Sequence, residues 1–273
     1  MPAPPPPEAA DLLERIHAGL KAALTVLAGF RAGAVASEDK AGGRGLVTEA
    51  DRAVDEVLAR MLPRDGEGWL SEESVDDARR LAQRRVWAVD PLDGTSEFVH
   101  GIPEWCVSIG YVEDGWPVAG GIANPATGEV FLGAAGAGVL YNGRPAGVSR
   151  RDGLEGAVVL ASRSEVARGD WARYAGSPFT VKPMGSVAYK LALVAAGLAD
   201  ATWTLAPKHE WDVAAGVALV RAGGGRAGTL DGSPLRFNQV RPWLSGLAAY
   251  PEALAGAVEP WLSLDGRRTE SRL

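Results

Sequence analysis

The chain lacks most of what would mark it for a membrane or an oxidising compartment. It has one cysteine, Cys106, in 273 residues. That rules out an internal disulfide and any cysteine-rich metal site, and fits a reducing cytosol. Histidine is scarce too. His17, His100 and His209 show no metal-site spacing, and each reads as a solvated or hydrogen-bonded ring. Every apolar run is broken by Gly, Pro or charge well short of the roughly 18 residues of a membrane span. An excess of positive charge is also missing: 28 Lys and Arg stand against 34 Asp and Glu, a formal net charge of −6. This argues against a general nucleic-acid or anionic-membrane binder. It leaves room for a small phosphorylated substrate, because one local metal cluster can outweigh the global field. The opening MPAPPPPEAA has neither a basic start nor a hydrophobic stretch, so no secretory leader is expected. Together these absences predict a cytoplasmic protein without a membrane span.

What is present is ordinary globular material, 47% hydrophobic and 23% charged, enough for a substantial core. Residues 1–7 read as a disordered, proline-rich tail. An N-terminal αβ half is expected over 8–150 and a C-terminal αβ half over 151–273. Leu12, Ile16, Leu20, Leu24 and Leu27 recur at helical spacing, predicting an amphipathic helix from Glu8 to about Phe30. The glycine-rich Ser37–Gly45 reads as a mobile loop. Thr48 caps a second helix with Asp51 three residues on, and apolar Val54, Val57, Leu58 and Met61 come next. Gly68–Leu70 and Val86–Val89 read as strands, the second ending at Asp90. Turn pairs at Asp114-Gly115, Thr127-Gly128 and Asn142-Gly143 predict an antiparallel meander. Later come strands at Val158–Leu160 and Ala201–Leu205. Helices are expected at Ser164–Tyr174, Ser186–Gly197, Glu210–Ala222 and from Pro251 to about Leu262. Cys106, in an apolar strand, reads as a small buried hydrophobe.

The informative feature is where the acids fall. Asp90-Pro91-Leu92-Asp93-Gly94-Thr95 sets two carboxylates three apart at the end of an apolar strand, where an unpaired charge is costly. Pro91 stiffens the exit and Gly94 permits a tight turn, so Asp93 can swing back beside Asp90 with the Leu92 carbonyl between them. That is a hard-oxygen set suited to Mg²⁺. Glu72-Glu73 comes after Trp69-Leu70, and Asp212 opens an apolar helix. Singly, each has a plainer reading: an Asx turn for Asp90–Thr95, a solvated loop for Glu72-Glu73, a helix-dipole acid for Asp212 and an N-cap for Thr95. Jointly, acids at so many element ends argue for a metal site. Such a site binds phosphate oxygens and lowers the pKa of water. Thr95 and Asp51 are candidates to activate that water, and the N–H groups of Gly94, Thr95 and Ser96 to hold phosphate.

Leu46-Val47-Thr48-Glu49-Ala50-Asp51, Ser71-Glu72-Glu73-Ser74, Asp90-Pro91-Leu92-Asp93-Gly94-Thr95 and Trp211-Asp212-Val213-Ala214-Ala215-Gly216 resemble, in order, the signatures of the inositol monophosphatase superfamily. The resemblance runs from about Ser37 to Asn238. It implies a lithium-sensitive, Mg²⁺-dependent phosphomonoesterase with two or three ions, an α+β fold layered αβαβα, and a possible homodimer. On matching positions Glu72, Asp90, Leu92 (by its carbonyl), Asp93 and Asp212 would be metal ligands. Asp51 and Thr95 would activate the water, with Glu72 also part of the catalytic set.

Within the superfamily, Thr95-Ser96-Glu97-Phe98, Ser162-Arg163-Ser164 and Gly185-Ser186-Val187-Ala188-Tyr189-Lys190 are similar to the 3′(2′),5′-bisphosphate nucleotidase branch. Leu205 stands where inositol-cleaving members commonly carry Glu. The resemblance therefore implies a 3′-phosphoadenosine 5′-phosphate-like substrate, with inositol-1-phosphate or a sugar phosphate as the alternative and a non-catalytic regulatory protein as the rival class. Asp93, Gly94, Thr95, Ser96, Gly185, Ser186 and Lys190 are expected at the substrate. Ser186 and Lys190 share a helix face, and Lys190, with Arg163 and Lys208, is a candidate for a second phosphate. Trp203 or Tyr189 could stack on a base, though core burial is the commoner fate of either.

Overall fold

The computed structural model describes residues 7–39 and 46–262. The rest of the expected tail (1–6), most of the glycine-rich stretch (40–45) and residues 263–273 lie outside them. The chain opens with α1 (Pro7–Leu27), which buries Ile16, Leu20 and Leu27 as their spacing requires. β1 (Ser37–Asp39) pairs antiparallel with β2 (Leu46–Thr48), so the start of the expected loop is strand. Thr48 and Asp51 form a capping box on α2 (Glu49–Met61). Next come β3 (Glu67–Ser71), β4 (Arg85–Asp93) and the short α3 (Thr95–Val99). The predicted meander is β5 (Cys106–Glu113), β6 (Trp116–Asn124), β7 (Glu129–Ala134), β8 (Gly138–Tyr141) and β9 (Arg144–Ala146).

The remainder runs β10 (Val158–Ser162), α4 (Arg163–Ala167), β11 (Thr180–Met184), α5 (Val187–Ala195), β12 (Ala201–Thr204), β13 (Lys208–His209), α6 (Glu210–Ala222), β14 (Gly225–Gly228), β15 (Trp243–Leu244), β16 (Leu247–Pro251) and α7 (Ala255–Leu262). The helix expected over Ser164–Tyr174 is interrupted. Gly169 turns to φ +86°, and Asp170–Tyr174 winds as a 3₁₀ helix.

Strands β3 to β9 form a seven-stranded sheet in sequence order, antiparallel except for the parallel β3–β4 pair. The second sheet has the order β11-β10-β12-β16-β14, parallel at β11-β10-β12 and antiparallel beyond. Adjacent residues on β6 report its two faces. A Cβ on Gly120 would strike Ala215 of α6, and one on Gly121 would strike Ile16 of α1. α1 and α2 cover one face of the large sheet through Ile16, Leu20, Val54, Leu58 and Trp87. α5 and α6 lie between the sheets and share one core with Ile122, Phe131, Leu160 and Leu247. Outside the small sheet, Val258 and Leu262 of α7 pack with Trp203 and Tyr250. The expected α+β, αβαβα layering is what the chain adopts.

Candidate active site

The Asp90–Thr95 turn is built by a bulge. On β4 the three steps from Asp90 to Asp93 match only two on β5, from Ser108 to Cys106. The extra residue falls at Pro91-Leu92, where Pro91 has no N–H to give the ladder. The strand therefore does not stop at Asp90, as the sequence suggested, but continues bulged to Asp93. Asp90, 1% exposed, accepts the Leu92 N–H at 3.0 Å. Gly94 then takes φ +96° at the head of α3, and a Cβ there would lie 2.9 Å from the Glu104 carbonyl oxygen. Only glycine meets both demands.

Asp51 comes to this turn from α2. Its Oδ2 accepts the Thr48 N–H (2.8 Å) and hydroxyl (2.6 Å). The Thr95 hydroxyl lies 3.0 Å from Asp51 Oδ1 and 3.1 Å from the Leu92 carbonyl, both as acceptors. One hydroxyl proton serves one of them at a time. The Thr95–Asp51 pair expected from sequence is thus formed across 44 residues.

Asp212 is delivered by α6, and its Oδ2 accepts the His209 N–H at 2.8 Å. The small residues behind it explain how a helix can reach so deep. A Cβ on Gly110 would stand 2.7 Å from the Ala215 nitrogen, and one on Gly216 would stand 2.4 Å from Leu191 of α5. The Ala214-Ala215-Gly216 run lets α6 lie against both β5 and α5, so close packing, rather than a loop, aims Asp212.

Glu72, Asp90, Leu92, Asp93, Gly94, Thr95, Ser96 and Asp212 all line one cleft of about 680 Å³. Burial pushes the Asp212 carboxyl above the usual range, and the nearby charges of Asp93 and Glu72 add to it. Like charges held together in a poorly solvated wall are what a divalent cation offsets, and the donors are all oxygen, so Mg²⁺ fits their chemistry. Among the described residues, no three His, Cys, Asp or Glu side chains are drawn together tightly enough to enclose an ion. The carboxylates line the cleft as separate groups.

The expected substrate contacts divide. Gly94, Thr95 and Ser96 stand in the cleft. Lys190 does not: it is 2% exposed, and its Nζ donates to the carbonyls of Met184 (3.2 Å), Gly185 (3.3 Å) and Ser186 (2.9 Å). Burial brings it down to about 8. It braces the 184–186 turn and is no surface cation for a second phosphate. Ser186, buried as the N-cap of α5, spends its hydroxyl on Asp93 Oδ2 at 2.6 Å, where the Ala188 N–H also donates at 2.7 Å. Gly185 leaves room for the Glu97 side chain, 2.4 Å from where a Cβ would stand. Arg163 is ion-paired to Glu104 and lies 3.9 Å from Glu97. Trp203 and Tyr189 are buried, the latter with its hydroxyl on Glu129.

Sequence reasoning missed the cleft residues Glu38 and Arg52, and it quoted Ser164 and Trp211 within motifs without giving either a place in the site. The His209 ring, also in the cleft, stacks on Trp211 at 4.4 Å and 6°. Trp211 directly precedes the ligand candidate Asp212 on the chain, and that adjacency could have flagged it. Glu38 and Ser164 reach the cleft only through tertiary folding.

The sequence profile of the inositol monophosphatase family matches residues 10–260. The inositol-1-monophosphatase of Rhizobium meliloti (strain 1021) is 33% identical over 195 residues, 68% of this chain and 73% of that one. The Nus factor SuhB of Pseudomonas aeruginosa PAO1 is 32% identical over 245 residues, 84% of this chain and 88% of that one. The crystal structure of the extragenic suppressor protein suhB from Bartonella henselae superposes with a TM-score of 0.79 at 28% identity, covering 93% of this chain and 99% of that one.

Proposed function

The chain belongs to the inositol monophosphatase family, and from that premise we propose that it is a magnesium-dependent phosphomonoesterase for a small polyhydroxylated metabolite, an inositol or sugar phosphate. The observation that carries the proposal is the meeting of Glu72, Asp90, Asp93 and Asp212 with the Thr95–Asp51 pair around one cleft. Glu72, Asp90, Asp93, Asp212 and the Leu92 carbonyl would hold two or three Mg²⁺ ions. Magnesium, when bound, supplies Lewis acidity to the phosphate oxygens and a lowered pKa to water.

The chain's own groups do the rest. The Thr95 oxygen takes a proton from the attacking water as its own hydroxyl proton passes to Asp51 Oδ1, a carboxylate that the Thr48 N–H and hydroxyl hold in place through Oδ2. The water oxygen, one proton short, bonds to phosphorus, the bond from phosphorus to the ester oxygen breaks, and the leaving alkoxide takes a proton from solvent while Asp51 releases to solvent the one it received. Thr95 and Ser96, at the head of α3, line the cleft, and their N–H groups would donate to the phosphate.

Substrate class is read from charge. Beyond the proposed ligands the cleft holds Glu38, Glu73 and Glu97 against Arg52 and Lys208, and Lys190 is sealed away. A second phosphate would meet carboxylates, whereas a ring hydroxyl would find in Glu97 the acceptor that Leu205 does not supply. The 3′-phosphoadenosine 5′-phosphate reading keeps its sequence likeness at Glu97-Phe98 and Ser162-Arg163-Ser164 but loses its cation. Phosphate release with Mg²⁺ from inositol-1-phosphate, fructose-1,6-bisphosphate and 3′-phosphoadenosine 5′-phosphate decides between them. Preference for the nucleotide refutes the charge argument. No turnover on any ester, with Mg²⁺ bound, favours a non-catalytic regulatory role. The same proposal carries lithium inhibition, a cytoplasmic location and a homodimer, each open to direct assay. Among the described residues no helix is long and apolar enough to cross a membrane.

A further inference from the structure

The buried face of α2 carries a second carboxylate that the proposed chemistry leaves unused. Asp55 lies one turn beyond Asp51 and is 9% exposed, on a face otherwise made of Ala50, Val54 and Leu58. An acid in such a place destabilises the fold unless its oxygens are hydrogen-bonded. Both are. The Ser71 hydroxyl donates to Oδ1 at 2.5 Å and the Ser74 hydroxyl donates to Oδ2 at 2.6 Å. Ser74 Oγ accepts in turn from Trp69 Nε1 at 3.1 Å.

Those two serines bracket Glu72-Glu73. Just past the end of β3 the Glu72 N–H reaches the Val89 carbonyl at 3.4 Å, a long bond. The Ser71 end is held in the β3–β4 ladder opposite Val89, and the bonds to Asp55 tie it to α2 as well and anchor the Ser74 end, which lies beyond the strand. The same helix carries Asp51, bonded to Thr95. A helix rises about 1.5 Å per residue and is stiff over one turn, so Asp51 and Asp55 are held about 6 Å apart along its axis. α2 acts as a ruler, with the water-activating pair at one mark and the Glu72 loop clamped at the next.

We infer that Asp55 is a positioning residue, which sets the distance of Glu72 from the Asp51–Thr95 pair and so tunes magnesium affinity without touching metal or substrate. This rests on the reading of Glu72 as a ligand. Groups that orient metal ligands from behind change affinity by about 10- to 100-fold when removed. A clamp that only stabilised the fold would shift the melting temperature and leave the affinity of the folded protein alone.

The test is calorimetric titration of the substrate-free protein with Mg²⁺, paired with thermal unfolding in its absence. Asp55→Ala should weaken Mg²⁺ binding about 10- to 100-fold. Asp55→Asn, which keeps one acceptor and gains a donor for the other serine, should recover most of that. Adding Ser71→Ala to Asp55→Ala should cost little more, because both remove one interaction. Wild-type affinity in folded Asp55→Ala overturns the inference, however far its melting temperature falls. Should Asp55→Ala not fold, Ser71→Ala and Ser74→Ala each remove one arm of the clamp and should each weaken binding several-fold; unchanged affinity in both overturns it equally. Glu72→Gln separates the two levels. Unchanged Mg²⁺ affinity there removes Glu72 from the ligand set, and the inference falls with its premise.

Discussion

Ser186 offers a perturbation in which a larger side chain should prove worse than a smaller one. It sits at φ +50°, ψ 114°, a backbone region that L-residues seldom enter. Its hydroxyl donates to Asp93 Oδ2 at 2.6 Å and accepts from the Tyr189 N–H at 3.0 Å. Ser186→Ala loses a bond to the half-buried Asp93 carboxylate, about 1.5–3 kcal/mol, and an N-cap, about 1 kcal/mol, and keeps the strain. Ser186→Gly loses the same bond to Asp93, but glycine is a passable N-cap and relieves about 1–2 kcal/mol of strain. Glycine should therefore be the more stable variant by roughly 2–3 kcal/mol, the retained cap plus the relieved strain. For a chain of this size each kcal/mol moves the melting temperature by about 2–4 °C. Alanine should melt roughly 5–15 °C below wild type, and glycine several degrees above alanine. Both free Asp93 from one of its two holders, so turnover should fall about tenfold in each. The assays are thermal unfolding without Mg²⁺ and phosphate release with it. Alanine as stable as glycine would refute the strain; wild-type turnover in both would refute any role of Ser186 in holding Asp93.

Three other substitutions probe separate links. Gly94→Ala meets both a positive φ and backbone atoms of Glu104 and Trp105 at 2.9 and 3.1 Å. It should cost about 2–4 kcal/mol in urea unfolding and abolish turnover; a neutral result denies the turn. Burial alone would raise the Glu67 carboxyl, but hydrogen bonds from Arg15, Trp87, Arg64 and Tyr111 bring it from 4.5 to about 2. A depressed carboxylate stabilises the fold fully above its unfolded value and less as pH falls from about 4.5 through 2. Glu67→Gln should thus flatten the acid limb of the stability profile over that window, and an unchanged limb would show the network to be worthless. Glu97→Gln should raise KM for inositol-1-phosphate about tenfold with kcat little altered; an unchanged KM would remove Glu97 as a hydroxyl acceptor.

Much of the fold could be read from local chemistry. Glu210–Ala222 has the predicted bounds, because its acidic first turn and Gly223-Gly224-Gly225 punctuate it at both ends. The Asp90–Thr95 turn was legible because Pro91 and Gly94 carry its backbone demands themselves. What escaped depends on which face of an element looks inward. Ser186 and Lys190 were expected together on one helix face toward the substrate, yet Ser186 is the N-cap of α5 and every residue of Val187–Ala195 is buried. A helix apolar all round is a buried one, and a lysine within it must be bonded internally. Asp55 was passed over for the same reason, hidden in a run read for Val54, Val57 and Leu58. The Glu97–Arg163–Glu104 contacts and the Asp55 clamp on Ser71 and Ser74 join distant segments, and local patterning carries no signal for them.

The central claim is that the acidic cleft hydrolyses a phosphate ester only with magnesium. The most direct measurement is phosphate release from inositol-1-phosphate by wild type and Asp90→Asn, with and without Mg²⁺, on proteins shown to be folded. Wild type should turn over only with the ion, and Asp90→Asn should lose on the order of 10³-fold while melting no earlier in Mg²⁺-free buffer. Turnover that persists without magnesium, or survives in Asp90→Asn, would contradict the account.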